Sequence, residues 1–174
     1  LGTSHRIWHD LTAALRFRGP ILRYDLAGHG LSEVGECPYS IAGLSRDALG
    51  LLDRLGIESV VACGLSVGGL VAQELGLSAR PRVRGVALCS TAARIGSTES
   101  WRSRVEQVRA GGVPAIAETV MSRWFSPQFR SLEPDVVRGY RCMLERTPSE
   151  GYLAMLHALH EADFTERVRE LRVP

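Results

Sequence analysis

The chain has 174 residues, which suits one domain or one domain with an insertion, and its hydrophobic fraction of 45% is enough for an ordinary core. The formal net charge of +2 gives no electrostatic argument for a nucleic-acid partner. All 21 basic residues are arginine, which excludes a Schiff-base lysine and a P-loop lysine. No apolar run approaches the roughly 18 residues of a membrane span, so no membrane partner is predicted.

The first half of the chain alternates between helical and strand-like patterns. The predicted elements are, in chain order, a helix over 6–18, a short strand over 21–24, a helix over 40–55, a buried strand over 59–63, a helix over 67–79 and a strand over 83–89. Ser40 is a capping residue for the second helix, and Gly56 ends it. The apolar face of this helix comprises Ile41, Leu44, Ala48, Leu51, Leu52 and Leu55. Strands separated by such helices predict right-handed βαβ units and a parallel sheet with both faces covered.

The pattern changes after Ala92, because from Thr98 to about Ala162 the periodicity is helical throughout. Four breaks divide this stretch and predict four short helices that form a separate lid; the breaks fall at 111–112, 126–127, 134 and 147–148. A short helix over 164–171 follows, and 173–174 resembles the start of another strand. The predicted domains are the first part of an α/β core (1–92), a helical lid (93–162) and a return to the core (163–174).

The cysteines give no sign of a disulfide framework or a metal site. The four of them are far apart and form no C-x-x-C pair: Cys37, Cys63, Cys89 and Cys142. Cys63 and Cys89 fall near the ends of strand-like runs, which predicts buried free thiols. Unpaired thiols fit a reduced, cytoplasmic setting, and no signal peptide is visible.

The most informative motif is Gly64-Leu65-Ser66-Val67-Gly68, which matches G-x-S-x-G between a predicted strand and a predicted helix. That context is typical of a nucleophile elbow, whose serine takes a strained backbone with positive φ. A side chain at either flanking glycine is expected to collide with a neighbouring element, and Gly69 is expected to allow close helix–sheet packing. The elbow raises the Ser66 hydroxyl above the carboxyl edge of the sheet. The Val67 N–H, at the start of the helix, is then a candidate oxyanion donor.

Two competing motifs disagree with the sequence, and one alternative stays open. A Walker loop ends in G-K-[ST], but Leu70 follows Gly69. A dinucleotide fingerprint reads G-x-G-x-x-G, but Ser66 occupies its second glycine position. An elbow with a purely structural role remains the alternative to a catalytic one.

A catalytic serine needs a base and an orienting acid, and in an elbow fold these follow the serine in the order acid, then histidine. The acid is expected after a strand beyond the lid, at the point where this sequence stops. His29 is expected to hold its own loop through hydrogen bonds, with Asp25 as a candidate partner, and a role as the base is the less favoured alternative. His5 with His9, and His157 with His160, have spacings that suggest a metal without completing a ligand set, so no metal is predicted.

The elbow is accompanied by further stretches that point to one family. They are Leu1-Gly2-Thr3, Arg23-Tyr24-Asp25, 28–32 (GHGLS), 38–41 (PYSI), 88–96 (LCSTAARIG), Trp101, 108–112 (VRAGG) and 123–127 (RWFSP). Together they resemble the 3-oxoadipate enol-lactonases, α/β-hydrolases of the protocatechuate branch of aromatic breakdown. The resemblance implies an α/β-hydrolase fold that is incomplete at both termini. It further implies an internal fragment of a longer enzyme, inactive by itself.

The resemblance also assigns roles to residues of this sequence. Ser66 becomes the nucleophile, and the backbone N–H groups of Val67 and Leu1 form the oxyanion hole. Val67 stands where the family usually has Met, which is harmless because only its N–H is needed. The triad acid and histidine are expected beyond Pro174. Residues 156–161 depart from the family pattern.

The implied reaction is hydrolysis of a small-molecule lactone through an acyl-enzyme, with no metal or organic cofactor. Because the enol-lactone carries a free carboxylate and the chain has no lysine, an arginine is expected to bind it, with Arg94 and Arg123 as candidates beside Trp124. Two other functions stay open. One is a different carboxylic-ester hydrolase or a cofactor-free haloperoxidase of the same fold, and the other is a non-enzymatic ligand-binding protein. No oligomeric state is predicted.

Overall fold

A computed structural model describes residues 1–17 and 19–174. The described chain divides into two compact units. The helical unit comprises Leu1–Cys37 and Arg102–Leu153, and the sheet unit comprises Pro38–Trp101 and Ala154–Pro174. The division into core and lid at 92 and 162 follows the sequence pattern alone and stays a prediction.

The sheet unit is built on one βαβ crossover. Strands β1 (Val60–Leu65) and β2 (Val83–Cys89) pair in parallel, with Cys63 opposite Ala87. Helix α3 (Val67–Ser78) connects them and packs on both strands, and α2 (Ile41–Arg54) packs on α3. The predicted α/β fold with a parallel sheet is confirmed in this unit, as are the bounds of β2.

Helix α2 begins where its capping residue predicts. The Ser40 side chain accepts a hydrogen bond from the Gly43 N–H at 3.1 Å, which satisfies one of the free donors of the first turn. Of the predicted apolar face, Ile41, Leu44, Ala48 and Leu52 are buried. Leu55 is 52% exposed, and its place in that face was wrong because it follows the last helical residue as the C-cap.

The prediction that β1 is a buried strand was wrong. Side chains alternate between the two faces of a strand, and α3 covers only the face that carries Val86, where Gly76 lies against the Val86 side chain. On the opposite face Val61 is 67% exposed, and Cys63 is exposed as well. The thiols are free as predicted, but none is fully buried: Cys89 is half-buried, and Cys37 and Cys142 are exposed.

The N-terminal segment differs from its prediction. It forms a 3₁₀ turn (His5–Trp8) followed by the short helix α1 (His9–Ala14), and the end of the predicted helix at Arg18 lies outside the described residues. The predicted strand over 21–24 is wrong, because no described residues form a β-ladder with this segment. A strand exists only through hydrogen bonds to a partner, which local sequence does not specify.

The chain from Thr98 onward is helical, as predicted, but with five α-helices rather than four in the described residues. The four predicted breaks all occur, and four breaks separate five helices. These are α4 (Thr98–Gly111), α5 (Ala117–Trp124), α6 (Pro127–Leu132), α7 (Pro134–Glu145) and α8 (Ser149–Glu161), with a 3₁₀ turn at Val113–Ile116.

The final segment is less regular than its pattern suggests. The predicted helix over 164–171 is reduced to a 3₁₀ turn at Arg167–Glu170. The start of a strand at 173–174 is not formed as such, although the Val86 N–H of β2 donates to the Pro174 carbonyl at 2.8 Å. Among the described helices, none combines the length and the hydropathy needed to cross a membrane.

Candidate active site

Ser66 lies between β1 and α3 in a backbone conformation that side chains rarely adopt. Its φ is 54° and its ψ is −118°, as the elbow motif predicts. Among the described non-glycine residues, only Ser90 shares a positive φ, at 42°. Such a conformation costs about 1–3 kcal/mol, so it persists only where the surroundings enforce it. The Ser66 side chain makes no capping hydrogen bond to α3, which leaves its hydroxyl available.

Close packing enforces this turn at two glycines. A Cβ on Gly64 would overlap the Gly68 carbonyl, and a Cβ on Gly69 would lie 2.6 Å from the Thr91 Cβ. A Cβ on Gly68 would meet no described atom within 4 Å, so the predicted collision at that glycine was wrong. The first turn of α3 leaves open space beside Gly68, whereas Gly69 faces the loop that follows β2.

Hydrogen bonds hold the elbow from both sides. The Ser66 N–H donates to the Cys89 carbonyl at 3.0 Å, which continues the ladder between β1 and β2 into the turn. The Ser66 carbonyl accepts from the Gly69 N–H and from the Thr91 hydroxyl, both at 2.8 Å. The turn is therefore fixed through Thr91, a residue that motif analysis alone did not single out.

Gln73 provides a second link between α3 and the loop after β2. Its side chain is 1% exposed, and its Nε2 donates to the carbonyls of Gly69 and Ala92, each at 3.2 Å. A buried amide without partners would be costly, so these bonds favour one position of the loop. A glutamine on the mostly apolar helix α3 was the sequence signal for such a link.

Val67, the predicted oxyanion donor, is the first residue of α3 and its side chain is 2% exposed. The N–H groups of a first helical turn have no acceptor inside the helix and carry the positive end of the helix dipole. The sheet unit thus places an available serine hydroxyl and the Val67 N–H on consecutive residues. Such an arrangement can attack a carbonyl carbon and stabilise the resulting oxyanion.

The polar loop of the helical unit is organised by Asp25. Its carboxylate accepts hydrogen bonds from the Leu31 N–H at 3.0 Å and from the His5 backbone N–H, and it lies 3.0 Å from the His5 Nδ1. Burial alone would raise the pKa of Asp25, but these bonds, first from Leu31 and then from His5, outweigh it and lower that pKa. The ionised carboxylate fixes the loop.

His29 holds the loop through a different bond from the one predicted. Its Nδ1 lies 3.0 Å from the Ala27 carbonyl, and Asp25 is not its hydrogen-bond partner. The side chain is buried, and its Nε2 has no partner among the described residues. Burial lowers the pKa of His29 to about 4, despite the opposing effect of the Ala27 bond. The imidazole is therefore neutral at pH 7.

The remaining predicted site residues are divided between the units. Leu1, Arg123 and Trp124 belong to the helical unit. Trp124 is 37% exposed, and its ring packs edge-on against Tyr140 with 6.5 Å between the ring centroids. Arg94 belongs to the sheet unit and forms an exposed ion pair with Asp163 at 3.3 Å. That pair occupies the guanidinium with a carboxylate of the protein itself.

The histidine pairs considered for metal binding do not form a cluster. No group of three or more His, Cys, Asp or Glu side chains within 1–17 and 19–174 is placed to hold a metal ion. His157 and His160 are exposed, and the His160 Nε2 lies 3.7 Å from a carboxylate oxygen of Glu161.

Comparison with known proteins agrees with this geometry. Residues 1–173 match the Alpha/beta hydrolase family. The chain is 35% identical, over all 174 residues, to 3-oxoadipate enol-lactonase 2 of Acinetobacter baylyi, and it spans 65% of the length of that relative. The resemblance to this group of lactonases is thereby confirmed.

Solved structures give the same result. The enol-lactonase from Burkholderia xenovorans LB400 superposes with a TM-score of 0.96 at 41% identity, covering 100% of this chain and 67% of that one. A thermophilic esterase from Thermogutta terrifontis, solved with malate bound, superposes with a TM-score of 0.90 at 30% identity, covering 99% of this chain and 65% of that one.

Proposed function

Because the chain belongs to the alpha/beta hydrolase family, we propose that the protein that carries it is a serine hydrolase that opens 3-oxoadipate enol-lactone to 3-oxoadipate. The observation that carries the proposal is the strained, available Ser66 at the start of α3. The similarity to enol-lactonases, in sequence and in structure, supports the choice of substrate. Since the chain spans about 65% of the curated relative, the proposal concerns the whole protein. A cytoplasmic setting, suggested by the free thiols, belongs to the same proposal.

In the proposed reaction the Ser66 oxygen attacks the lactone carbonyl carbon while a histidine base takes the hydroxyl proton. The carbonyl electrons move to oxygen, and the resulting oxyanion accepts a hydrogen bond from the Val67 N–H. When these electrons re-form the carbonyl, the ring C–O bond breaks and the enol oxygen takes the proton from the histidine. Water then releases the acid from Ser66, and the enol becomes the ketone of 3-oxoadipate.

Two parts of this mechanism come from the resemblance alone. The family order places the triad acid and histidine after Pro174. The second oxyanion donor is assigned to the Leu1 N–H, and this assignment stays a prediction. A single oxyanion donor is worth about 10²–10³ in turnover. Loss of the second donor would therefore be measurable as a fall in turnover, whichever residue supplies it.

A simple carboxylic-ester hydrolase is the second candidate. It is favoured by one observation, namely that an esterase superposes on this chain almost as well as the enol-lactonase does. Malate, bound in that esterase, is a dicarboxylate, so both candidates are compatible with an anionic substrate.

The test compares purified protein on the enol-lactone and on a series of neutral aryl esters. We expect a clearly higher kcat/KM for the enol-lactone than for any neutral ester. Turnover of neutral esters without turnover of the lactone would assign the protein to the esterases. Absence of both activities, together with retained binding of the lactone, would favour a binding protein.

A further inference from the structure

We propose that a closed set of contacts around the elbow positions Ser66 for catalysis, and that Thr91 transmits this positioning to Ser66. The contacts join α3, the loop after β2 (90–94) and the return segment (163–171), which follows α8. All three belong to the sheet unit. The positioning rests on these contacts, and only its effect on turnover rests on the proposed function.

Thr91 is the point where this set of contacts meets Ser66. Its hydroxyl donates to the Ser66 carbonyl at 2.8 Å, and the Gly69 N–H donates to the same oxygen at 2.8 Å. The Thr91 side chain also fills the space that a Cβ on Gly69 would need. Because a φ of 54° is unfavourable for serine, contacts to the Ser66 peptide decide whether this backbone, and with it the hydroxyl, stays in place.

Thr91 is itself held, because the loop after β2 is anchored on two sides. The Gln73 Nε2 of α3 donates to the Ala92 carbonyl at 3.2 Å. The Phe164 N–H of the return segment donates to the next carbonyl, that of Ala93, at 2.8 Å. Two successive residues directly after Thr91 are therefore bonded to two different parts of the sheet unit.

An ion pair anchors the return segment to α3 in turn. The Arg167 guanidinium donates to both carboxylate oxygens of Glu74, at 2.7 and 3.3 Å, and lies 5.1 Å from the centroid of the Phe164 ring. The Glu74 side chain is only 9% exposed, so its charge needs this partner. Since Glu74 follows Gln73 on α3, the contacts lead from α3 through the loop and the return segment back to α3.

This arrangement accounts for two consecutive buried polar residues on the mostly apolar helix α3. Buried polar groups cost free energy unless they are bonded, and an apolar side chain at either position would cover the sheet at no such cost. Gln73 and Glu74 instead each bond to a segment that leads to Thr91. Thr91 is therefore a positioning residue that acts through Ser66, and the ion pair of Glu74 and Arg167 acts through Thr91.

The first test removes the Thr91 hydroxyl in the whole protein. Thr91→Val keeps the shape of the side chain, and the Ser66 carbonyl retains the Gly69 N–H, so this variant should fold. We expect kcat for the enol-lactone to fall about tenfold with KM unchanged, because a small misplacement of a reacting group is costly. Thr91→Ser restores the hydroxyl and should recover most of the lost kcat. A merely structural role would lower the thermal unfolding midpoint without separating kcat from KM.

The second test removes the ion pair. Glu74→Leu combined with Arg167→Met replaces both partners by apolar side chains, so that no unpaired charge is left buried. This double variant should also lower kcat, and adding Thr91→Val to it should lower kcat little further, because the substitutions act on one contact. The matched control is Arg169→Met, an exposed arginine of the same segment that pairs with Glu166 and not with α3. It should leave kcat unchanged.

Amide hydrogen exchange tests the positioning without turnover. The Ser66 N–H donates to the Cys89 carbonyl, and the Gly69 N–H donates to the Ser66 carbonyl. Thr91→Val and the double variant should each speed exchange of these two amides about tenfold, whereas Arg169→Met should not.

The outcomes separate the two proposals. Faster exchange in Thr91→Val, in a protein that turns over neither lactone nor ester, supports the positioning of Ser66 and contradicts the hydrolase. An unchanged kcat in an active, folded Thr91→Val variant overturns the positioning. Unchanged exchange of the Ser66 and Gly69 amides overturns it equally where the parent is inactive.

Discussion

Ser66 combines a strained backbone with a side chain that makes no capping bond, which is the arrangement of a nucleophile held ready. Replacement by alanine should remove the covalent route. Loss of a triad nucleophile costs up to about 10⁶ in turnover, so we expect Ser66→Ala to fall to the background rate. The measurement is kcat for the enol-lactone.

Ser90 provides the control for that substitution. It is the other described serine with a positive φ, it is exposed, and it follows β2 directly. Ser90→Ala should retain turnover close to that of the parent. If the two variants lose the same factor, the effect of Ser66→Ala comes from the backbone and not from the hydroxyl.

The lowered pKa of His29 predicts how the stability of the protein depends on pH. Its folded-state pKa of about 4 is below the ordinary histidine value, so the folded protein binds this proton less tightly than the unfolded chain. Stability from this source is complete above about pH 6.5 and is lost as pH falls toward 4, by up to about 3 kcal/mol. The free energy of unfolding, measured by denaturant between pH 7 and pH 4.5, should fall accordingly.

His29→Gln isolates this effect, because glutamine keeps a donor for the Ala27 carbonyl but does not titrate. The variant should show a flatter dependence over the same pH range. A parallel decline in both proteins would mean that His29 is accessible to protons in the folded state.

Close packing at the junction of β1 and α3 predicts how two glycine substitutions change stability. Thr91 cannot turn aside for a Cβ at Gly69, because its hydroxyl is bonded to the Ser66 carbonyl. Gly69→Ala should therefore reduce the free energy of unfolding by about 1–3 kcal/mol, the cost of overpacking a tight site. Gly68→Ala, where the space is open, should change it by less than about 1 kcal/mol and in the stabilising direction, because alanine favours helix.

Both values come from urea unfolding of the two variants beside the parent. Equal destabilisation by both substitutions would show that the glycines serve the backbone conformation of the turn and not the contact with Thr91.

The elements that were predictable from sequence are those with local signals. Helix α2 has its cap at Ser40, and β2 has an apolar run bounded by turns, so their limits follow from neighbouring residues. The segment 21–24 has strand-like residues as well, yet it forms no ladder in the described chain. Strand pairing and burial depend on residues distant in sequence, and this is why the exposed face of β1 was also missed.

The same limit applies to the site. The elbow was predictable, because Gly64, Ser66 and Gly69 lie within one short motif whose sterics are known. The supports of the elbow at Thr91 and Gln73 join residues that only the fold brings together. An arginine on a helix surface carries no sequence signal of its own. The 21 arginines of the chain therefore gave no means of choosing the one that binds a substrate carboxylate.

At the scale of the whole molecule, the similarity to enol-lactonases extends along the entire chain. The catalytic proposal therefore concerns the whole protein and not the Ser66 elbow alone. It also requires the acid and histidine that the family places later in the chain. A measurement on the protein that carries this chain tests these requirements together.

The most direct measurement is the mass of the protein during turnover. Protein mixed with excess enol-lactone is quenched in acid after a short interval and examined by intact and peptide mass spectrometry. Opening a lactone releases no leaving group, so the acyl-enzyme should gain the full mass of the substrate. We expect that gain on the peptide that contains Ser66, and none in the Ser66→Ala variant. The same adduct on another residue, or lactone turnover by Ser66→Ala at the rate of the parent, would contradict the assignment of Ser66 as the nucleophile.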